Sequence, residues 1–161
     1  MTQPYVAVVG PGSDVDPDLL AAAREVGRLL AVAGAVVVTG GLGGVMAAAA
    51  SGAAGAGGTA VGILPGDDRG AASPGHTLVV ATGLGEMRNA LVVRSADAVV
   101  AVGGSWGTLS EVALARRTGR PVVVLRGWRV LDAGEAEVDQ TVAESPGDAV
   151  RLVMSVVDPT R

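Results

Sequence analysis

The chain has 161 residues and a formal net charge of −4, one domain's worth of sequence, and the acidic balance argues against a nucleic-acid partner held by counterion release. Hydrophobic residues make up 49%, aromatics 2% and charged residues 17%, so the core must be built from Ala, Val and Leu, and disorder is excluded. Cys and Lys are absent and His76 is the single histidine, which removes disulfides, thiolate and His-pair metal sites, lysine Schiff bases and the Walker A lysine; no metal and no resident cofactor are expected.

Tyr5–Val9 opens the chain as an apolar strand. Asp16 caps a helix running from Pro17 to Ala33, with Pro17 in its first turn and Gly34 as its stop. Ala35–Val38 is a second strand, Gly44 to Ala54 a second helix, and Ala60–Leu64 a third strand. Pro65–Gly75 reads as a loop over the strand ends. Leu78–Val80 follows as a strand, Glu86 to Ser95 as the third helix, and Ala98–Val102 as a strand. The fourth helix starts at Thr108 and ends near Gly119, ahead of a strand at Pro121–Leu125. Acid-rich Gly127–Ser145 reads as a solvated connection. The last helix, after Ser145-Pro146, carries Val150, Val153, Met154 and Val157 at helical spacing. Strands apolar on both faces, alternating with helices, predict an α/β fold: a single Rossmann-like, doubly wound domain over residues 1–161 with a mainly parallel sheet. Such sheets bind ligands outside the carboxyl ends of their strands.

The uncharged run between Leu29 and Gly66 resembles a membrane span in hydropathy. Its glycine pairs, Gly40-Gly41 and Gly57-Gly58, break any helix long enough to cross a bilayer. The start, MTQPYVAVVG, lacks a basic leader region. A cytoplasmic protein with no membrane partner is expected.

Four strands end in glycine turns: Gly10-Pro11-Gly12-Ser13, Gly40-Gly41-Leu42-Gly43-Gly44, Gly83-Leu84-Gly85 and Gly103-Gly104-Ser105-Trp106-Gly107-Thr108. A single such turn is often only conformational. Several on one sheet edge, three of them leading into helices, point to an anionic ligand held by backbone N–H groups. None completes G-x-G-x-x-G, since Val15 and Met46 stand where the third glycine belongs, and no acid ends the second strand. A dinucleotide oxidoreductase is therefore the weakest reading.

The run Val38 to Met46, the run Gly57 to Pro65, Met87-Arg88-Asn89, Ser95 to Val100, and Gly103-Gly104-Ser105-Trp106-Gly107-Thr108-Leu109-Ser110-Glu111 together resemble the LOG superfamily. The last segment is similar to its PGGxGTxxE signature, and the likeness runs from Val8 to about Val157. The resemblance implies a phosphorylated, nucleotide-like ligand and a homodimer or higher homo-oligomer. Apolar Ala90–Val93 on the third helix is a further ground for assembly. It implies one of two functions. One is hydrolysis of the N-glycosidic bond of nucleoside 5′-monophosphates; the alternative is a non-catalytic carrier or sensor of molybdenum cofactor or a nucleotide. Retention of Arg88 and Glu111 favours the enzyme. Val102 in place of the signature proline, and Asn89 where LOG enzymes carry Lys, favour the carrier. The "lysine decarboxylase" label attached to many members cannot apply to a chain without Lys.

The resemblance assigns catalysis to Arg88 and Glu111. Arg88 is read as a phosphate clamp and charge stabiliser, against a surface ion pair with Glu86 or Asp97. Glu111 would serve the reacting sugar, but Thr108-Leu109-Ser110-Glu111 also fits a helix capping box. Ser13, Gly40, Gly41, Gly103, Gly104, Ser105, Gly107 and Thr108 are the phosphate-loop candidates, and Asn89 is either a ligand contact or a cap. Trp106 has two readings, ring stacking or packing against a partner subunit. Met46 reads as core, Asp97 as structural, and His76 as solvated. Asp67-Asp68 and Arg116-Arg117 read as exposed.

Overall fold

In a computed structural model that describes residues 2–157, seven parallel strands form one sheet in the order β4-β3-β2-β1-β5-β6-β7. The strands are β1 (Tyr5–Val9), β2 (Val36–Thr39), β3 (Ala60–Leu64), β4 (Leu78–Ala81), β5 (Ala98–Val102), β6 (Val122–Leu125) and β7 (Thr141–Ala143). The helices are α1 (Pro17–Val32), α2 (Gly44–Gly55), α3 (Asn89–Ser95), α4 (Trp106–Arg117) and α5 (Pro146–Val156). The expected doubly wound α/β architecture is thus observed, and β1 pairs with β2 on one side and β5 on the other. That junction is where the strand order reverses, the position at which sheets of this kind bind ligands.

Valine makes the sheet. Val6, Val8, Val37, Val100 and Val102 pack on one face against α1, α2 and α5; Val9, Val36, Val38, Val99 and Val124 pack on the other with Val92, Val93 and Val112. β-Branched side chains suit a pleated surface buried on both faces. Helices α1 and α2 cross closely because Gly27 faces the backbone of Ala49 and Gly52 faces that of Arg24. Asp16 caps α1 as expected, its carboxylate accepting from the N–H of Leu19 at 2.9 Å.

Several expectations need correction. The third helix does not begin at Glu86: Gly85–Arg88 is a tight 3₁₀ turn, and α-helix starts only at Asn89. The fourth begins at Trp106, because Ser105 rather than Thr108 is its N-cap. Gly127–Ser145 is not merely a connection: it contributes β7, which pairs with β6 through Val123↔Thr141 and Leu125↔Ala143. The Ala90–Val93 stretch is only partly free for assembly, since Val92 and Val93 are fully buried within the chain and Leu91 alone of the larger residues is exposed. Among the described residues no helix is long and apolar enough to cross a membrane.

Candidate functional site

Parallel strands put every strand-to-helix turn on one edge. There the first and second turns touch backbone to backbone: Val45 N–H donates to the Pro11 carbonyl at 3.0 Å, and Gly44, at φ +61°, leaves no room for a Cβ against that same oxygen. The fourth turn closes on the first from the other side, Gly10 lying against the Val102 carbonyl. Gly40, Gly41, Gly103 and Gly104 thereby line one sheet edge, with Ser13 exposed on the first turn and Gly107 on α4.

Arg88 is buried beneath this edge, 8% exposed. Its Nε donates to the Ile63 carbonyl at 2.9 Å, Nη2 to the Gly40 carbonyl at 3.1 Å, and Nη1 to Asn89 Oδ1. The surface ion pair with Glu86 or Asp97 is not formed; Asp97 instead accepts from Tyr5 N–H at 2.9 Å. Burial pushes the guanidinium below its usual range, opposed by nearby Glu111. A guanidinium has five N–H donors, so the nitrogens η1 and η2 each keep one hydrogen beyond these bonds. The guanidinium packs directly on Gly40, where a Cβ would meet Arg88 Nη2 at 2.6 Å and Met46 Sδ at 2.7 Å and displace one or both.

Glu111, on α4, is also 8% exposed, and its carboxyl is pushed up to about 7 by burial, with the Arg88 charge opposing the rise. The capping box expected from Thr108 to Glu111 is absent. Ser105 Oγ accepts from Thr108 N–H at 3.1 Å and pairs with Thr108 Oγ1 at 2.9 Å, so the cap belongs to Ser105; Glu111 and Arg88 influence each other through charge. Thr108 is 3% exposed, and its hydroxyl is engaged in that cap.

His76 is not solvated. Its Nδ1 lies 2.9 Å from Ser73 Oγ and 3.1 Å from the Ser73 carbonyl, and its Nε2 lies 2.6 Å from the Thr39 hydroxyl; Thr39 Oγ1 in turn accepts from Gly41 N–H at 3.0 Å. Burial lowers the imidazole pKa, partly offset by the Ser73 carbonyl. Together with Ser73 N–H donating to Gly41 O, this clasp ties the Pro65–Gly75 loop to the second glycine turn. Sequence reasoning missed it; the signal was a fully buried hydroxyl at the end of β2 needing a partner.

The structure therefore brings together Arg88, Asn89, Glu111 and Gly40, and sets Gly103, Gly104, Ser105, Gly107 and Thr108 around the entry to α4. Ser13 is exposed on the first turn, with no hydrogen bond to any of these residues. Asp68 caps a short turn through Gly70 N–H, and Arg116 and Arg117 are exposed as expected. No cluster of three or more metal-ligating side chains occurs among the described residues.

Residues 3–159 match the model of the SLOG cluster4 family. The chain is 38% identical over 146 residues to an uncharacterized protein of Archaeoglobus fulgidus, an alignment covering 87% of this chain and 95% of that protein. Among solved structures it is similar to the molybdenum cofactor binding protein from Rippkaea orientalis, with a TM-score of 0.86, 35% identity, and 98% and 99% of the two chains covered. It is also similar to the molybdenum cofactor carrier protein of Chlamydomonas reinhardtii, with a TM-score of 0.83, 35% identity, and 96% and 98% covered.

Proposed function

The chain belongs to the SLOG cluster4 family, and from that premise we propose that it carries a phosphorylated pterin of the molybdenum-cofactor type at the glycine-lined edge of its sheet. One observation supports this above the others: Arg88 is a buried cation, fixed by two backbone carbonyls, with N–H hydrogens left for an anion. A fixed guanidinium beside glycine turns that lead into helix N-termini suits a phosphate dianion. The chain has no cysteine, so it offers no thiolate to molybdenum, and the pterin phosphate is the part it would hold. The cofactor is cargo in this reading, and no chemistry is required of the protein. The similarity to the Rippkaea orientalis and Chlamydomonas reinhardtii proteins over nearly the whole chain supports the same reading.

The test is to express the chain in a host that makes molybdenum cofactor and purify it without chelators. Bound pterin is then measured as its fluorescent oxidation product, and molybdenum by mass spectrometry. Near-stoichiometric pterin, lost in Arg88→Leu, is expected. A folded chain that neither retains pterin nor takes it up from a loaded donor refutes the proposal.

A second reading rests on Glu111. A carboxyl at about 7 beside a guanidinium has the proton affinity of a general acid or base at neutral pH. It corresponds to hydrolysis of the N-glycosidic bond of a nucleoside 5′-monophosphate. Release of free base from AMP, GMP, CMP or IMP, abolished in Glu111→Gln, would replace the carrier with this enzyme.

A further inference from the structure

The helical segment that carries Arg88 is apolar on two sides. Gly85–Arg88 and α3 run on without a break, since Arg88 and Asn89 both have right-handed helical backbone. The inner side holds Arg88, Val92 and Val93, all buried. Leu84, Met87, Leu91 and Arg94 follow one another at helical spacing on the outer side, and all four are exposed, Met87 by 77%. A helix with apolar residues on both sides needs two partners, and the chain itself supplies one.

The sheet beside it is in the same state. Strands of a parallel sheet are ordinarily covered on both faces. On this face α3 lies over β1 and β2, and α4 over β5 and β6. The register sets Leu78 beside Val61 and Val80 beside Ile63, and Ile63 belongs to the same apolar cluster as Val92. Leu78 and Val80 are nonetheless 58% and 51% exposed. The Ile63 carbonyl accepts from Arg88 Nε, so the exposed strand face and the helical segment are neighbours.

Leu78, Val80, Leu84, Met87 and Leu91 together leave about 500 Å² in water, as much as the largest patch on an ordinary monomer. That is the apolar centre that an interface of about 800 Å² per partner needs. The charges around it are self-complementary. Glu86 near the start of the segment and Arg94 near its end are both exposed, and neither takes part in an ion pair among the described residues. A twofold axis across the middle of the segment sets two copies antiparallel, with Glu86 of each copy toward Arg94 of the other.

We infer that a second copy of the chain docks on this face, through an isologous contact made by the Leu84, Met87 and Leu91 stripe and the exposed face of β4. The second copy then packs on the outer side of the segment whose inner side anchors Arg88. The contact does not depend on the carrier reading, and failure of that reading leaves it standing.

The positions are exposed, so charged replacements leave the single chain folded, which far-ultraviolet circular dichroism checks. In sedimentation equilibrium the wild-type chain should be a dimer, or a dimer of dimers, at micromolar concentration. Met87→Glu and Leu91→Glu should each raise the dimer Kd at least about tenfold. Glu86→Arg and Arg94→Glu should each raise it several-fold, and the two together should return it close to wild type, because the exchanged charges meet again across the axis. A monomeric wild-type chain overturns the inference. So does a dimer that Met87→Glu and Leu91→Glu leave intact, or one that Trp106→Leu breaks instead, which moves the contact to the exposed tryptophan at the fourth glycine turn. A doubly reversed chain no tighter than its single variants overturns it too, because the antiparallel arrangement requires the rescue.

Discussion

Replacing Glu111 with Gln should change how stability depends on pH, in a direction that follows from the burial of this one carboxyl. Its pKa rises from 4.5 to about 7 in the fold. Between those values the native chain holds a proton that the unfolded chain has released, so unfolding free energy falls as pH rises. The stabilisation is complete below pH 4.5, erodes through the interval, and is gone above about pH 7. Each unit is worth about 1.4 kcal/mol, so the whole effect is about 3 kcal/mol. His76 acts in the opposite sense: its lowered pKa destabilises the fold as pH falls below the ordinary imidazole value. The two slopes overlap, and wild-type data alone would mix them. The difference between wild type and Glu111→Gln cancels the His76 contribution. Urea unfolding followed by circular dichroism at pH 4.5, 6 and 7.5 should show wild type losing about 3 kcal/mol relative to the variant across that range. Parallel stability profiles would refute the reasoning and mean that Glu111 is solvated in solution.

Arg88→Leu strips donors from the carbonyls of Ile63 and Gly40 and should lower stability by about 2–3 kcal/mol, read from chemical denaturation, together with loss of bound pterin. Two glycines of α2 should respond oppositely to alanine. Gly55→Ala meets open space and should raise stability by about 0.5 kcal/mol. In Gly52→Ala the Cβ would lie 1.9 Å from the Arg24 carbonyl, so α1 and α2 must separate, and the melting temperature should fall despite alanine's better helix propensity. Ser105→Ala removes the α4 cap and should cost about 1 kcal/mol in a denaturant titration.

The sheet was legible in the sequence because valine runs such as Val36-Val37-Val38 and Val122-Val123-Val124 can hardly be anything but strands buried on both faces. β7 was not legible: Thr141-Val142-Ala143 is short, two of its three residues are exposed, and acids surround it, so its pairing with β6 is decided by tertiary context. The glycine turns were readable from motif and spacing, and Arg88 and Glu111 were singled out by the family resemblance; that each feels the other's charge was not. What Arg88 bonds to was not, since its acceptors are carbonyls 25 and 48 residues away. The α4 cap was misplaced because Ser105 and Thr108 both satisfy the same rule. Only the backbone at Ser105, extended at φ −156°, ψ 171°, decides between them. His76 was misread because a Pro-Gly loop suggests solvent, whereas its partner Thr39 lies on a different strand.

Binding and hydrolysis make opposite demands on Glu111. To stabilise an oxocarbenium-like state or activate water, the carboxyl must be ionised in a place that disfavours charge. To admit a phosphate dianion beside Arg88, it serves better neutral, since a carboxylate there repels the anion and cancels part of the guanidinium's charge. A carboxyl at about 7 stands between these states, and an incoming dianion raises it further by like-charge repulsion. Ligand entry therefore favours protonation of Glu111, which strengthens Arg88 as an anion site and weakens Glu111 as a base. The same two residues that resemble a catalytic pair thus form, once a phosphate is bound, an anchored cation next to a neutral acid. That arrangement holds an anion at neutral pH without attacking it, which is what a carrier requires.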